Sequence, residues 1–433
     1  MRNYRLALAA LCMISLALTG CGKGGSNSGN GQMRILNAFS EAPAINVTVN
    51  TTAVATTLPF QTLTGYVSVP SGTPTVIVGV SGASTTLINT TYNISSNTNY
   101  SYIVFGSLTG VGAILDNDSF ADPGNGFFAL RVINAAPGTT GVDVYVTTPG
   151  ADISASAPSI SNVAYGVTSV FTPLAIGTNF EIRVTATGTK GIIFDSTPQT
   201  FAEHSGTDLV VYGAGSGTLV NAALLNNNSA GSGSILNNLL AQYKVVNASQ
   251  VPSPLNVFVD GSLQLSNIPI AGVSNYQKTS AATHTFSIEA TSNPGASLLA
   301  LSETLAPATD TSIALTGTAG ALAALVLHDD NIPPAIGTAS VRVVNTSASG
   351  DAFDVFVNFS KQVSGLAVNT ASPYLNFNAA ANVGTIYEFD FNVSGTTTAV
   401  LKLTGVALAS GHKYSIYLAG PTTALQGIVT QDF

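Results

Sequence analysis

The chain has 433 residues, 45% hydrophobic and only 8% charged, with 13 Lys and Arg against 21 Asp and Glu. That length exceeds one ordinary β-domain and suffices for three or four. An acidic balance without a basic cluster excludes nucleic acid as a partner, because phosphate affinity needs grouped cations.

The first element is an address. Met1 to Arg5 form a short basic stretch, and Leu6 to Thr19 are 14 mostly apolar residues. Such a stretch is too short to span a bilayer as a helix and fits the core of a signal peptide. It ends in Leu18-Thr19-Gly20-Cys21, which resembles the bacterial lipobox. The resemblance implies cleavage between Gly20 and Cys21 and lipid attachment to Cys21. Each buried methylene contributes about 0.8 kcal/mol, so two or three acyl chains hold firmly. Residues 1–20 are expected as a signal peptide and 21–32, rich in Gly, Ser and Asn, as a flexible tether. Gly22 in place of Asp points to the outer membrane in a Gram-negative cell. The mature chain keeps one cysteine and thus no internal disulfide. Its 11 basic and 21 acidic side chains leave a net charge of −10.

Beyond the tether no run of 18 apolar residues occurs. Apolar residues alternate with Thr, Ser, Asn and Gly, as half-buried strands require. A unit recurs four times. Arg34-Ile35-Leu36-Asn37 returns as Arg131-Val132-Ile133-Asn134, Lys244-Val245-Val246-Asn247 and Arg342-Val343-Val344-Asn345, at steps of 97, 113 and 98 residues. Twelve residues after each basic side chain stands Asn46, Asp143, Asn256 or Asp354, inside an alternating strand. Later strands are predicted around residues 75–80, 180–184, 285–289 and 387–391, and again at 100–105, 208–212, 311–315 and 413–418. The units are expected at 33–126, 127–230, 235–337 and 338–433, with a short helix conceivable only over 234–242. Regular short strands predict an all-β chain of tandem antiparallel β-sandwich modules, Ig-like in topology. The absence of Trp removes the Cys-Trp-Cys core of a true immunoglobulin domain.

The opening motif, best preserved in Lys244 to Ser249 and Leu255 to Gly261, resembles the bacterial domain-of-unknown-function family 4397. Leu265 to Pro269 and Leu327 to Asp330 fit it as well. The resemblance covers most of residues 33–433 and implies secreted or surface-anchored β-domains with no assigned catalytic residues. The first and fourth units depart at the Asp-Gly turn, having Asn50-Thr51 and Asn358-Phe359.

Candidate chemistry is sparse. The repeated cation and the Asn or Asp twelve residues on read as a cross-strand polar pair rather than a ligand site, with the Asn three residues after the cation bonding the next turn. Asp116, Asp118 and Asp122, and Asp329 with Asp330, offer oxygen ligands for Ca²⁺ but lack the Gly turn and distal Glu of a known loop; they read as solvated linker acids, and no metal or cofactor is expected. His204, His284, His328 and His412 have no ligand spacing. Glu203-His204 near Asp208 is the sole close His–carboxylate grouping. No Ser lies in a nucleophile elbow, and Gly213 to Gly217 lack the Lys of a phosphate loop, leaving a flexible turn.

The expectation is a non-enzymatic, lipid-anchored envelope protein that spaces or adheres. Its expected partners are the membrane, through Cys21, and an envelope protein or a glycan. Four modules stacked end to end, at roughly 25 Å each, would reach on the order of 100 Å. The alternative is a carbohydrate- or peptide-binding receptor using Tyr145, Phe258 and Phe356, which share one repeat position.

Overall fold

The computed structural model describes residues 29–107, 110–330, 332–380 and 384–433. The expected signal segment, the Gly20–Cys21 cleavage site and the tether up to residue 28 lie outside them.

Each unit opens on a strand: Asn30–Asn37, Phe127–Ala135, Leu240–Asn247 and Thr338–Asn345. In the first of these, Met33 and Ile35 enter the core of their own unit, while Leu36 enters a second apolar cluster. Apolar residues in both registers are what a strand covered on both faces needs. That is the physical reason for the repeated basic-Val-Val-Asn run.

The opening strand's neighbour is a later, return strand: Asn99–Ser107, Gly206–Gly213, Asp310–Thr318 or Lys413–Ala419. The two run parallel, matching Arg34 with Ser101, Arg131 with Asp208, Lys244 with Ser312 and Arg342 with Ser415. Parallel neighbours need a long crossover, and the outer sheet built in between supplies it. Among the described residues all other pairings between strands are antiparallel. The expected sandwich is therefore realised with one parallel pair at the centre of each inner sheet.

The outer sheets are four-stranded and antiparallel. In the fourth unit the order is Ser360–Leu366, Phe353–Val357, Thr385–Val393 and Ala399–Leu408. The Asn or Asp at the twelfth position lies here, so it cannot meet the repeated cation on the inner sheet. Its carboxyl or amide oxygen instead accepts from the backbone N–H of a bulge residue in the next strand. The pairs are Asn46–Thr57, Asp143–Asn162, Asn256–Asn267 and Asp354–Gly365, at 2.7, 2.8, 3.0 and 2.8 Å. All four bulge residues have positive φ. The expected cross-strand pairing is thus replaced by a bulge cap, which explains why Asn and Asp interchange.

The expected turn bond is present. Asn37, Asn134, Asn247 and Asn345 each donate from Nδ2 to Leu58, Val163, Ile268 or Leu366 O and accept from the N–H two residues on.

The units pack in twos, face to face. Leu36, Ala38, Ile103 and Phe105 of the first meet Ile133, Ala135, Val210 and Tyr212 of the second. Val246, Ala248 and Ala314 of the third meet Val344, Tyr417 and Ala419 of the fourth. Each pair is a four-layer stack with two inner sheets in contact and an outer sheet on either side. The end-to-end arm is therefore not formed, because the inner sheets carry an apolar outward face that must be covered.

The span 234–242, which could have made a short helix, holds parts of two strands: Gly233–Leu236, which extends the second unit's inner sheet past residue 230, and the start of Leu240–Asn247. Asn238 then pins the connection: its side chain accepts from Asp195 N at 3.1 Å and donates to Val220 O at 3.2 Å. The two stacks also touch. Gly215, at φ +97, leaves room for the Phe433 ring, which a Cβ there would meet at 2.0 Å. Gly213 to Gly217, expected as a flexible turn, is a packed junction.

Candidate functional site

The repeated cations are buried between paired units. Arg34, Arg131, Lys244 and Arg342 are all at most 7% exposed. An ion removed from water needs an opposite charge and filled hydrogen bonds, and each of the four has both.

In the first pair, Arg131 makes a bidentate contact to Asp208 at 2.7 and 2.8 Å. Arg34 donates Nε to Ser101 at 2.7 Å and reaches across to Asn226 O and Asn227 Oδ1 at 2.7 and 2.6 Å. Asp118 lies 3.4 Å from Arg34 and 3.7 Å from Arg131. In the second pair the bridges cross between units. Lys244 of the third unit binds Asp432 of the fourth at 2.6 Å. Arg342 of the fourth binds Asp329 of the third, and lies 3.6 Å from Asp432. Each interface thus holds two cations and two carboxylates.

An aromatic ring covers each cation. Tyr66 covers Arg34, Phe171 covers Arg131, Tyr276 covers Lys244 and Tyr374 covers Arg342, at 5.1, 4.4, 4.8 and 5.2 Å from the ring centroid. Each tyrosine also donates its hydroxyl to the acid at its unit's end: Tyr66 to Asp118, Tyr276 to Asp329 and Tyr374 to Asp432, at 2.5, 2.6 and 3.0 Å. Burial and these carboxylates push all three phenols above the ordinary range. Two residues before each ring, Thr64, Ser169, Ser274 or Ser372 accepts from the opening strand's backbone at 2.9 Å. This Ser/Thr-x-Tyr/Phe signature, 30 residues after the cation in three units, is visible in the sequence.

Electrostatics differ between the pairs. Burial pushes the Asp208 carboxyl up to about 6, against the pull of Arg131. Burial also raises Asp432, but Lys244 and Arg342 outweigh it and hold that carboxyl below its usual range.

The other sequence candidates disperse. Asp118 and Asp329, considered as calcium ligands, are engaged by guanidinium, phenol and hydroxyl groups. Among the described residues no group of three or more His, Cys, Asp and Glu side chains is placed to hold a metal. His204 contacts Asp122 at 2.6 Å, while Asp208, its expected neighbour, is buried against Arg131. His284 contacts Asp260 at 2.6 Å. Tyr145 is 2% exposed beneath Lys190, whose Nζ sits 4.6 Å from the ring centroid; Phe258 and Phe356 are half-buried. The three rings therefore do not form one repeated open platform.

Buried polar chemistry in this molecule belongs to a tandem all-β repeat, in which sandwiches are joined in pairs by ion clusters. Residues 31–145, 241–354 and 339–433 match the family described as Domain of unknown function (DUF4397), and the chain belongs to that family. The first two matches run from one unit into the opening strands of its neighbour, the unit it packs against. No curated protein matches the chain. Solved structures similar to this chain include two of other bacterial proteins. One is CBMbc (family CBM26) from Eubacterium rectale Amy13K in complex with maltoheptaose, with 13% identity over 48% of this chain and 95% of that one, at a TM-score of 0.16. The other is the Bacillus anthracis TIE protein, with 8% identity over 87% of this chain and 65% of that one, at a TM-score of 0.16.

Proposed function

We propose that the chain is a non-enzymatic cell-envelope protein, anchored by lipid on Cys21, whose paired sandwiches form a stiff body that spaces or displays an interaction surface. The observation behind this reading is where the repeated ionisable residues are used. All four cations and their carboxylates lie between units, where they join sheets. A body built this way is suited to holding a shape at a membrane. The test is fractionation with intact-mass analysis of the processed protein. Wild type should partition with membranes and carry a diacylglyceryl mass on Cys21, and Cys21→Ser should be soluble. A wild-type protein that is soluble and unmodified would overturn the anchor.

A second reading, a carbohydrate- or peptide-binding receptor, is favoured by one observation. The fourth unit exposes Phe359, 81% accessible, beside the half-buried Phe356.

A further inference from the structure

The four outer sheets repeat in backbone but not in surface chemistry. At one cross-strand row the first unit presents Ala53, Thr48, Ile77 and Asn89. The third presents Leu263, Phe258, Ser287 and Ala300. The fourth presents Lys361, Phe356, Asp390 and Lys402. Beside that row the fourth unit has an open concavity of about 700 Å³, lined by these four side chains with Asp354, Asn392 and Phe359.

Two features there have no structural use. Asp390 is only 8% exposed, and its Oδ2 accepts from Lys402 at 3.0 Å, yet its Oδ1 has no hydrogen-bond partner. A buried carboxylate oxygen left unfilled is costly. The second feature is Phe359. It occupies the hairpin turn with φ +66, following Asn358 at φ +46. The third unit's equivalent turn holds Asp260 and Gly261, at φ +50 and +79. Glycine suits that conformation, whereas a bulky side chain is strained in it. Phe359 gains no packing in return, since it stands 81% exposed at the mouth of the concavity.

We propose that this concavity binds a neutral saccharide ring, an inference that rests on the receptor reading above. Lys361 pairs with Asp354 at 2.7 Å and Lys402 with Asp390 at 3.0 Å, so the concavity is charge-balanced. A cationic ligand would meet two ammonium groups and an anionic one two carboxylates. A sugar hydroxyl can accept from the half-exposed Lys361 and Lys402 ammonium groups, which the buried Asp354 and Asp390 carboxylates hold in place. The apolar C–H face of a pyranose ring would lie on Phe359, since Lys361 Nζ already stands 5.3 Å from the Phe356 ring centroid, giving the mixture of aromatic wall and few convergent polar groups that small-molecule sites use.

The test uses the full chain in detergent, titrated calorimetrically with soluble gluco-, manno- and galacto-hexaoses and with a lysine-rich peptide. At least one hexaose should bind in the micromolar to millimolar range. Phe359→Gly and the isosteric Asp390→Asn should each weaken it about ten-fold. Phe359→Gly should also raise the melting temperature, because glycine relieves the turn, so lost binding cannot be assigned to unfolding. Binding that survives both substitutions, a peptide that binds where no sugar does, or silence from every probe would each overturn the site. None of these would disturb the anchored-spacer reading, which the membrane partition of Cys21→Ser tests separately.

Discussion

The two interfaces solve one problem with different residues. In the second pair both carboxylates stand at unit ends, Asp329 and Asp432, and both return strands carry serine opposite the cation, Ser312 and Ser415. In the first pair only Asp118 keeps that place. The second unit has Asn227 at the unit end, Asp208 in place of the serine, and Phe171 in place of the tyrosine. The three changes are coupled. A carboxylate moved to the strand leaves the unit end neutral, and a phenol then has no acid to bind. The difference teaches that charge is balanced over the pair, not at each register position. The first pair relies more on apolar contact, with Phe105 and Tyr212 where the second has Thr316 and Ala419.

The largest expected effect comes from breaking the crossed bridges. Asp432→Asn leaves Lys244 and Arg342 buried with one carboxylate between them, and should cost about 3–5 kcal/mol in denaturant unfolding. An unchanged midpoint would mean that the cluster contributes nothing net. Next is an exchange within the first pair. Asp208→Ser alone should destabilise strongly, and adding Asn227→Asp should recover about 1–3 kcal/mol as a coupling energy in a double-mutant cycle. Strictly additive losses would refute the idea that the two positions trade one charge. A smaller effect is expected from Tyr374→Phe, about 1 kcal/mol, since it removes one hydrogen bond to Asp432 and keeps the ring over Arg342. The reverse change, Phe171→Tyr, should bring no comparable gain because Asn227 offers no charge.

The finest comparison is pH. Asp208, raised to about 6, holds its proton more tightly folded than unfolded, where about 3.9 is usual. Its ionisation therefore lowers the stability of the first pair as pH climbs from about 4 through 6. Asp195, also in the second unit, acts in the same direction, since burial and the nearby Glu181 raise it to about 7. Asp432, held low, contributes stability above about pH 4 that is lost as pH falls further. Hydrogen exchange of residues 206–213 and 413–419, corrected for intrinsic rates, should show opposite pH slopes. Parallel slopes would remove the electrostatic distinction between the interfaces.

Much of this was legible in advance. Period-2 alternation located the outer strands, and the repeated motif located the four units, because both follow from which face meets a core. The face-to-face pairing leaves only a trace in the sequence. Val245 and Val246 are adjacent apolar residues, and a strand with one wet face has no use for both. The role of Asn46 and its equivalents is hidden for a related reason: a constant step of twelve says that two positions recur together, not that they share a sheet. For the fourth-unit concavity, Asn358-Phe359 in place of Asp-Gly was the one visible sign. The unfilled oxygen of Asp390 depends on neighbours that no spacing reveals.

The opening strand, covered on both faces, has a consequence for how such a chain grows. A single sandwich would present the apolar outward face of its inner sheet uncovered, an adhesive surface prone to self-association. Parity therefore matters. Arrays of this kind should lengthen or shorten by two modules at a time, and an odd copy should survive only where its inner sheet has lost that apolar face.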